Sequence, residues 1–331
     1  MRRATCMLSL AAALAMPPPA FAAVTCTPTM SNLAFGTVNP ASAATTTGSL
    51  DWSCDNDAFL QTAWVTMCLN IGAGNSSGGQ TSPWRTMDGG SGDPLRFQIY
   101  ADAAHTQVWG SVLTPATSNP VVVQFQIPGA VLGPGRYTGA PRPVHAATSG
   151  AQAGVSPATY SNLFAGAQAV ITLAHNDSFL GIGGSYPASC GTTPAASFPF
   201  TVSAVVPSTC TVTASTLDFG TPTGLLGTNV DATTRVLTTC TLGTPYQIGL
   251  DNGTHASGPL RRMQKGSETI GYALYRDSSR SLRWGNTLNV DTVTGVGNAL
   301  AQGTTVYGRV APQPTPSPGT YTDTITVNIR Y

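Results

Sequence analysis

The side chains that most often carry chemistry are few in this sequence and widely scattered. Its four histidines, His105, His145, His175 and His255, have no spacing that would bring two of them to one metal ion. No G-x-S-x-G or phosphate-binding glycine motif occurs, and no pair stands out among the 14 acidic residues. His175 lies close to Asp177, but such a pair in a polar segment fits a solvated loop better than a catalytic dyad. We therefore expect no enzyme, no metal site and no cofactor.

Cysteine is the one reactive residue whose number and position are informative. Of the seven cysteines, Cys6 lies in an N-terminal leader, and six remain at Cys26, Cys54, Cys68, Cys190, Cys210 and Cys240. An even number of cysteines in an exported chain is typical of disulfides, whereas the absence of any CxxC spacing disfavours zinc.

The leader has the three parts of a secretory signal peptide. Arg2 and Arg3 precede an apolar run, and Ala20 to Ala22 form a small-x-small cleavage site. We expect residues 1–22 to be removed, with cleavage after Ala22 or Ala23. The apolar run is too short to span a bilayer, and no later stretch is apolar enough to do so.

The composition indicates short strands and excludes highly charged partners. Only 9% of the residues are charged, with a net charge of +1 and a single lysine, Lys265. Nucleic acids and anionic membranes require clustered basic residues, so we expect neither as a partner. The 36 glycines and 25 prolines favour turns over long helices.

The chain contains an internal repeat with a period of about 180 residues. Six blocks match in order, and they begin with "CTPTMSNLAFGTV" at Cys26 and "CTVTASTLDFGTP" at Cys210. The next cysteine follows after 28 residues in the first copy and after 30 in the second. The other matches start at Leu69 and Tyr246, Pro83 and Pro259, Leu95 and Thr269, and Ser156 and Ser317.

The repeat predicts both the domains and the disulfides. We expect a first domain at 24–206 and a second at 207–331. Cys26–Cys54 and Cys210–Cys240 become equivalent bridges, which leaves Cys68–Cys190 as a bridge private to the first domain.

Alternating apolar residues predict strands throughout. Residues 197–206 alternate in the first copy, and Tyr321, Ile325, Val327, Ile329 and Tyr331 share one face in the second. Many short strands separated by turns predict an all-β protein of two immunoglobulin-like β-sandwich domains. The counterpart of strand 197–206 is missing after residue 331, so the second domain is expected to lack its last strand. A sandwich that is naturally one strand smaller is the alternative.

These motifs resemble the spore coat protein U domain, which builds the pilins of archaic chaperone–usher pili. The resemblance is carried by the C…L-x-F-G opening, by the second cysteine near 30 residues, and by the "PGTYTDTITVNI" ending. Two-domain members resemble tip adhesins, with an adhesion domain followed by a pilin domain. The implied partners are a periplasmic chaperone, an outer-membrane usher and the next pilin subunit, and the implied location is the pilus tip at the cell surface.

In such a pilin domain a donated strand would complete the edge that carries Tyr321, Ile325, Val327 and Ile329. A shaft pilin would also need a donor extension before its first cysteine. Only two or three residues separate the expected cleavage site from Cys26, so we expect a subunit that receives a strand without giving one.

The resemblance also implies that apolar loops at one end of the first domain bind a hydrophobic or host surface. Three loops carry apolar residues without a clear counterpart in the second copy; these residues are Phe59, Leu60, Val131, Leu132, Phe179, Leu180, Ile182 and Tyr186. The alternative is that they fold back onto the core.

Two other functions stay open at this stage. One is a polymerising coat or matrix protein that does not adhere. The other is a lectin that binds sugar through exposed aromatic side chains such as Trp84 and Trp109, although Trp109 matches Trp284 and is expected in the core.

Overall fold

The computed structural model describes residues 24–77, 80–81, 83–114, 119–152 and 154–331. The signal peptide predicted at 1–22 lies outside these residues. The described chain is built almost entirely of β-strands, and its one helical element is a 3-10 turn at Gly166–Gln168. None of the described helices could span a membrane.

In the first half of the chain, the described residues form a β-sandwich of fourteen strands. A seven-stranded sheet has the order β1-β3-β10-β7-β6-β5 with β9 on β3, and smaller sheets have the orders β11-β14-β2 and β13-β12-β4-β8. The strands are β1 (Val24–Met30), β2 (Leu33–Thr37), β3 (Thr45–Asn56), β4 (Gln61–Ile71), β5 (Gln80–Thr81), β6 (Trp84–Met87), β7 (Leu95–Tyr100), β8 (Val121–Ile127), β9 (Gly135–Thr138), β10 (Arg142–Thr148), β11 (Ala158–Phe164), β12 (Ala169–Phe179), β13 (Pro194–Ser197) and β14 (Phe200–Val206).

The second half repeats this plan with fewer strands. A five-stranded sheet has the order β15-β16-β21-β19-β18, and a three-stranded sheet has the order β20-β17-β22. The strands are β15 (Cys210–Ala214), β16 (Val230–Cys240), β17 (Pro245–Leu250), β18 (Arg261–Lys265), β19 (Glu268–Tyr275), β20 (Val293–Val296), β21 (Gln302–Val310) and β22 (Val327–Arg330).

Each half has its own hydrophobic core, and no strand pairing joins the two halves in the part of the chain that the structure describes. The protein is therefore all-β with two sandwich domains, and we propose that the first ends at residue 206 and the second begins at 207. Disulfides join Cys26 to Cys54, Cys68 to Cys190 and Cys210 to Cys240, which are the three pairs that the repeat predicted.

A buried arginine occupies the same place in both domains. The Arg85 guanidinium donates to the carbonyls of Ile71, Gly72 and Trp109. The Arg261 guanidinium makes the same three bonds to Leu250, Asp251 and Trp284. Burial lowers the pKa of Arg85 to about 9 and that of Arg261 to about 10, so both remain charged at neutral pH.

These bonds correct one match of the sequence repeat. The sequence aligned Leu69 with Tyr246, whereas the Trp109 indole donates to Leu69 O and the Trp284 indole donates to Ile248 O. The structural counterpart of Leu69 is thus Ile248, two residues after Tyr246. The sequence match was misplaced because both segments contain an Ile-Gly dipeptide. Both tryptophans lie in the core, as predicted for Trp109.

The two arginines differ in one hydrogen bond. Arg85 Nη1 donates to Gln98 Oε1, whereas no described atom accepts a bond from Arg261 Nη1. The residue of β19 that matches Gln98 is Ala273, which carries no acceptor on its side chain. A buried donor without a partner costs about 1–3 kcal/mol.

Gln98→Ala should reproduce this loss in the first domain. It should lower the free energy of unfolding by about 1–3 kcal/mol, because it leaves Arg85 Nη1 unpaired. Denaturant titration of the purified protein, with the exposed Gln107→Ala as control, measures the change. Equal stability of the two variants would show that the Gln98 bond contributes nothing.

Candidate functional site

The three predicted apolar loops emerge at one end of the sheet β13-β12-β4-β8. Strand β4 begins at Gln61, β8 ends at Ile127 and β12 ends at Phe179. The pairings Gln61 with Phe179 and Ala63 with Ile127 place these ends side by side. The loops before β4, after β8 and after β12 are therefore neighbours, although they are far apart in the sequence.

Backbone hydrogen bonds join the three loops. Leu60 N donates to Ala130 O at 3.1 Å, Ala130 N donates to Ala58 O at 2.8 Å, and Leu180 N donates to Leu60 O at 2.9 Å. Leu60 and Leu180 have φ angles of 57° and 51°, which are rare for residues with a bulky side chain. Backbone conformations of this kind are strained, and they persist only where the surrounding structure stabilises them.

Six of the eight predicted side chains are exposed at this end. Leu132 is fully exposed at 103%, and Phe59, Val131, Phe179, Leu180 and Ile182 expose between 56% and 77% of their surface. Leu60, whose backbone is hydrogen-bonded to the other two loops, is half-buried. We call the six exposed residues the apolar tip. The alternative that these loops fold back onto the core does not hold for them.

Tyr186 does not belong to the apolar tip. Its ring packs edge-on against Trp64 of β4, with centroids 5.0 Å apart, and it is half-buried. The chain after Ile182 turns back over the outer face of β4, where Thr66 donates to Pro187 O and Cys68 is joined to Cys190. An added Cβ at Gly184 would fall 1.8 Å from Trp64 Nε1, so only glycine permits this approach.

Asn56 is a residue of this site that the sequence did not indicate. It ends β3, is fully buried, and its Nδ2 donates to Gln61 O at 2.8 Å, Pro128 O at 3.3 Å and Ile127 O at 3.4 Å. Its Oδ1 accepts a bond from Ala58 N at 3.0 Å. One amide thus fastens two of the three loops to the sheet.

The second site is a groove, and the first domain shows how such a groove is filled. In that domain β14 lies between β2 and β11, parallel to the first and antiparallel to the second. The inward residues Tyr160, Asn162 and Phe164 of β11, and Leu33 of β2, are all almost completely buried.

In the second domain the flanking segments are present, but no described strand lies between them. Residues 214–219, residues 320–325 and Val327 line a groove of about 510 Å³, together with Met263, Tyr272 and Val306. A second hollow of about 740 Å³ continues it along 217–222 and 315–321. Leu217, Tyr321 and Ile325, which match Leu33, Tyr160 and Phe164, are only half-buried.

The groove contains three of the four predicted edge residues. Tyr321, Ile325 and Val327 line it, whereas Ile329 is paired with Ile248 in the sheet and is outside the lining. Leu217 and Phe219 on the opposite wall were not predicted as groove residues, although they match Leu33 and Phe35 of β2 in the sequence repeat. Tyr331, predicted on the inward face, is 59% exposed.

Polar contacts hold one wall of the groove. The Asp323 carboxylate, with only 2% of its side chain exposed, accepts bonds from Tyr272 OH at 2.7 Å, Thr254 Oγ1 at 3.0 Å and His255 N at 3.2 Å. Burial raises the pKa of Asp323, but these bonds outweigh it, so that the pKa lies below its ordinary value. The carboxylate is satisfied within its own domain.

Comparison with known sequences is decisive for the family. The chain matches the Spore Coat Protein U domain over residues 11–165 and 196–328. The chain belongs to the Spore Coat Protein U domain family. It is also 33% identical over 129 residues to Protein U of Myxococcus xanthus, a match that covers 35% of this chain and 72% of that protein. Residues 166–195, which carry the third apolar loop, lie outside the family match.

Two of the solved structures that align with this chain contain pilus tip proteins. One is the chaperone–tip adhesion subunit complex CsuC–CsuE of Acinetobacter baumannii, with 17% identity and a TM-score of 0.49, covering 93% of this chain and all of that chain. Another is the CupB6 tip adhesin of Pseudomonas aeruginosa, with 12% identity and a TM-score of 0.32, covering 93% of each chain.

Asn56→Ala should loosen the two loops that it fastens. Removing the amide leaves three carbonyl groups without their buried donor, which corresponds to about 1–3 kcal/mol of local stability. We expect amide hydrogen exchange at residues 58–61 and 129–132 to become at least about five times faster. The exposed Asn298→Ala of the second domain is the control. Unchanged exchange at both loops would show that other contacts hold the apolar tip.

Proposed function

We propose that this protein is the tip subunit of a surface pilus assembled through a chaperone and an usher. The first domain adheres to surfaces through the apolar tip and promotes biofilm formation, and the second anchors the subunit by accepting a strand from the next pilin. The observation that carries this proposal is the groove between residues 214–219 and 320–327, at the place where the first domain holds β14.

An open groove of this kind favours a strand from another chain. Residues 317–323 keep the conformation of their matches 156–162, as the bonds Thr322–Gln264 and Ser161–Asp88 show. The half-buried side chains of Leu217 and Ile325 would be covered by alternate side chains of an added strand.

The apolar tip favours adhesion to hydrophobic material. Six large apolar side chains at one end of a sheet form a contiguous exposed patch, which in soluble proteins marks a contact site. Each could contribute about 1.5–3 kcal/mol when buried against an apolar surface. The six exposed side chains themselves carry no charge and no hydrogen-bonding group, so they fit surfaces that are recognised by hydrophobicity rather than by a defined chemical group.

A lectin is less well supported by the same geometry. Trp109 is 1% exposed and donates its indole N–H to Leu69 O, so it is unable to stack on a sugar. Trp84, in β6, is half-buried. A coat or matrix role would use the groove in the same way but leaves the apolar tip without a function.

Replacing apolar tip residues should abolish adhesion without affecting assembly. The triple variant Phe59→Ser, Leu132→Ser, Leu180→Ser removes three exposed side chains, and we expect at least a 100-fold loss of binding to polystyrene because about 1.4 kcal/mol corresponds to a factor of ten. The matched control is Leu260→Ser, Val290→Ser, Leu300→Ser, which changes exposed apolar residues of the second domain. Biofilm formation by fully piliated cells of the tip variant at the control level would contradict the adhesive role.

The groove should make the protein dependent on a partner. Expressed in the periplasm alone, the chain should aggregate or be degraded, and co-expression with its chaperone should give a soluble one-to-one complex. Leu217→Asp places a charge in the groove and should prevent the complex, whereas Leu237→Asp, on the exposed face of β16, should not. A stable, soluble monomer recovered without any partner would refute the incomplete second domain.

A further inference from the structure

The first domain contains, in its own β14, a template for the strand that the second domain accepts. The segment beside β14 and the matching segment beside the groove make the same hydrogen bonds. Tyr160 OH donates to Ser156 O at 2.8 Å, and Tyr321 OH donates to Ser317 O at 2.8 Å. The backbone of Ser161 pairs with Asp88, and that of Thr322 pairs with Gln264. The inner wall of both grooves is therefore set in the same way.

The inward side chains of β14 follow a definite order of size. Phe200 lies opposite Phe164, with the rings stacked 4.6 Å apart, and Val202 lies opposite Asn162. Ala204 lies opposite the buried ring of Tyr160, and Val206 lies opposite Ala158. Directly opposed Cβ atoms are about 5 Å apart, so each opposed pair shares one space. Two stacked rings fill it at Phe164 and Phe200, and one ring with a small side chain fills it at Tyr160 and Ala204.

We infer that the strand filling the groove of the second domain runs antiparallel to residues 319–325 and parallel to 217–221, with inward side chains that are large, β-branched, small and β-branched in that order. This inference rests on the proposed function. The occupant is an extended segment of another pilus subunit, and it is recognised by this size pattern rather than by charge.

The groove residues account for the first three positions of the pattern. The first donor residue would lie opposite Ile325, which is smaller than the matching Phe164 and leaves space for a large side chain. The second would lie beside Asp323, whose carboxylate is already bonded to Tyr272, Thr254 and His255 and therefore requires no polar partner. The third would lie opposite Tyr321, whose ring is held by the bond from its OH to Ser317 O just as the Tyr160 ring is held opposite the small Ala204.

The template itself is the most direct probe. We would append a copy of residues 197–207 after Tyr331 through a flexible linker of about 12 residues, whose span is about 20 Å. Expressed without the chaperone, the full chain with this copy should be recovered as a soluble monomer at several times the yield of the unmodified chain. Its second domain should also show a higher unfolding midpoint.

Three further copies test the pattern. Ala204→Phe within the copy adds a ring opposite Tyr321 and should remove the gain. Val205→Phe within the copy adds the same ring on the outward face, which is 42% exposed in β14, and should keep the gain. A copy with its sequence reversed should give no gain, because its side chains would meet the wrong positions.

The outcomes separate this inference from the function on which it rests. If no appended copy raises the yield or the midpoint, the groove does not accept a strand and the proposed function fails with it. If the Ala204→Phe copy stabilises the chain as well as the unchanged copy does, strand acceptance stands and the size pattern is refuted. If the reversed copy performs best, the inferred direction is wrong.

Discussion

A strand inside a β-sandwich needs a partner on each side, and this requirement governs the second domain. Residues 319–325 pair on one side with the segments around Thr254 and Gln264, as their matches in the first domain do. On the other side the first domain supplies β14, while the described part of the second domain supplies a groove. Leu217, Tyr321 and Ile325 are only half-buried, and contact between their apolar surface and water is unfavourable until another segment covers them.

The first domain has the same sandwich fold but presents a different surface for contacts. Its own β14 closes the sandwich, so that its free end is available for other contacts. Asn56, the Cys68–Cys190 bridge and the crossed hydrogen bonds at Leu60 hold three loops in place. Rigid loops lose little conformational entropy on contact, so exposed apolar side chains on them keep most of their burial energy for binding. The proposed adhesive and anchoring roles thus differ by one strand, which the described residues supply in the first domain and not in the second.

Much of this organisation could be predicted from the repeat. Matching cysteines indicated the disulfides, and matching Leu-x-Phe-Gly motifs indicated the two sandwiches. The repeat was less reliable for register, since the shared Ile-Gly dipeptide displaced Leu69 by two residues from its true counterpart Ile248. It also placed Ile329 beside Val327 on the acceptor edge, and both residues lie in β22, although Ile329 is not among the residues that line the groove.

Other features had no signal in the sequence. Asn56 is one asparagine in a polar stretch, and only the fold brings Gln61 and Pro128 to its amide. Tyr186 looked like a loop-tip aromatic residue, but the Cys68–Cys190 bridge draws its segment back onto Trp64. Long-range contacts of this kind depend on which strands are neighbours, and local patterns do not encode that.

Amide hydrogen exchange along the two matched segments compares a filled and an open groove within one molecule. Residues 158–164 are paired with β14, and their amides should exchange slowly whether or not a partner is present. Residues 319–325 should exchange much faster in the fraction of unpartnered chain that stays in solution at low concentration, and should become as slow as 158–164 when a donated strand fills the groove. Equal protection of both segments in the isolated chain would contradict the account, because it would mean that the second domain is already complete.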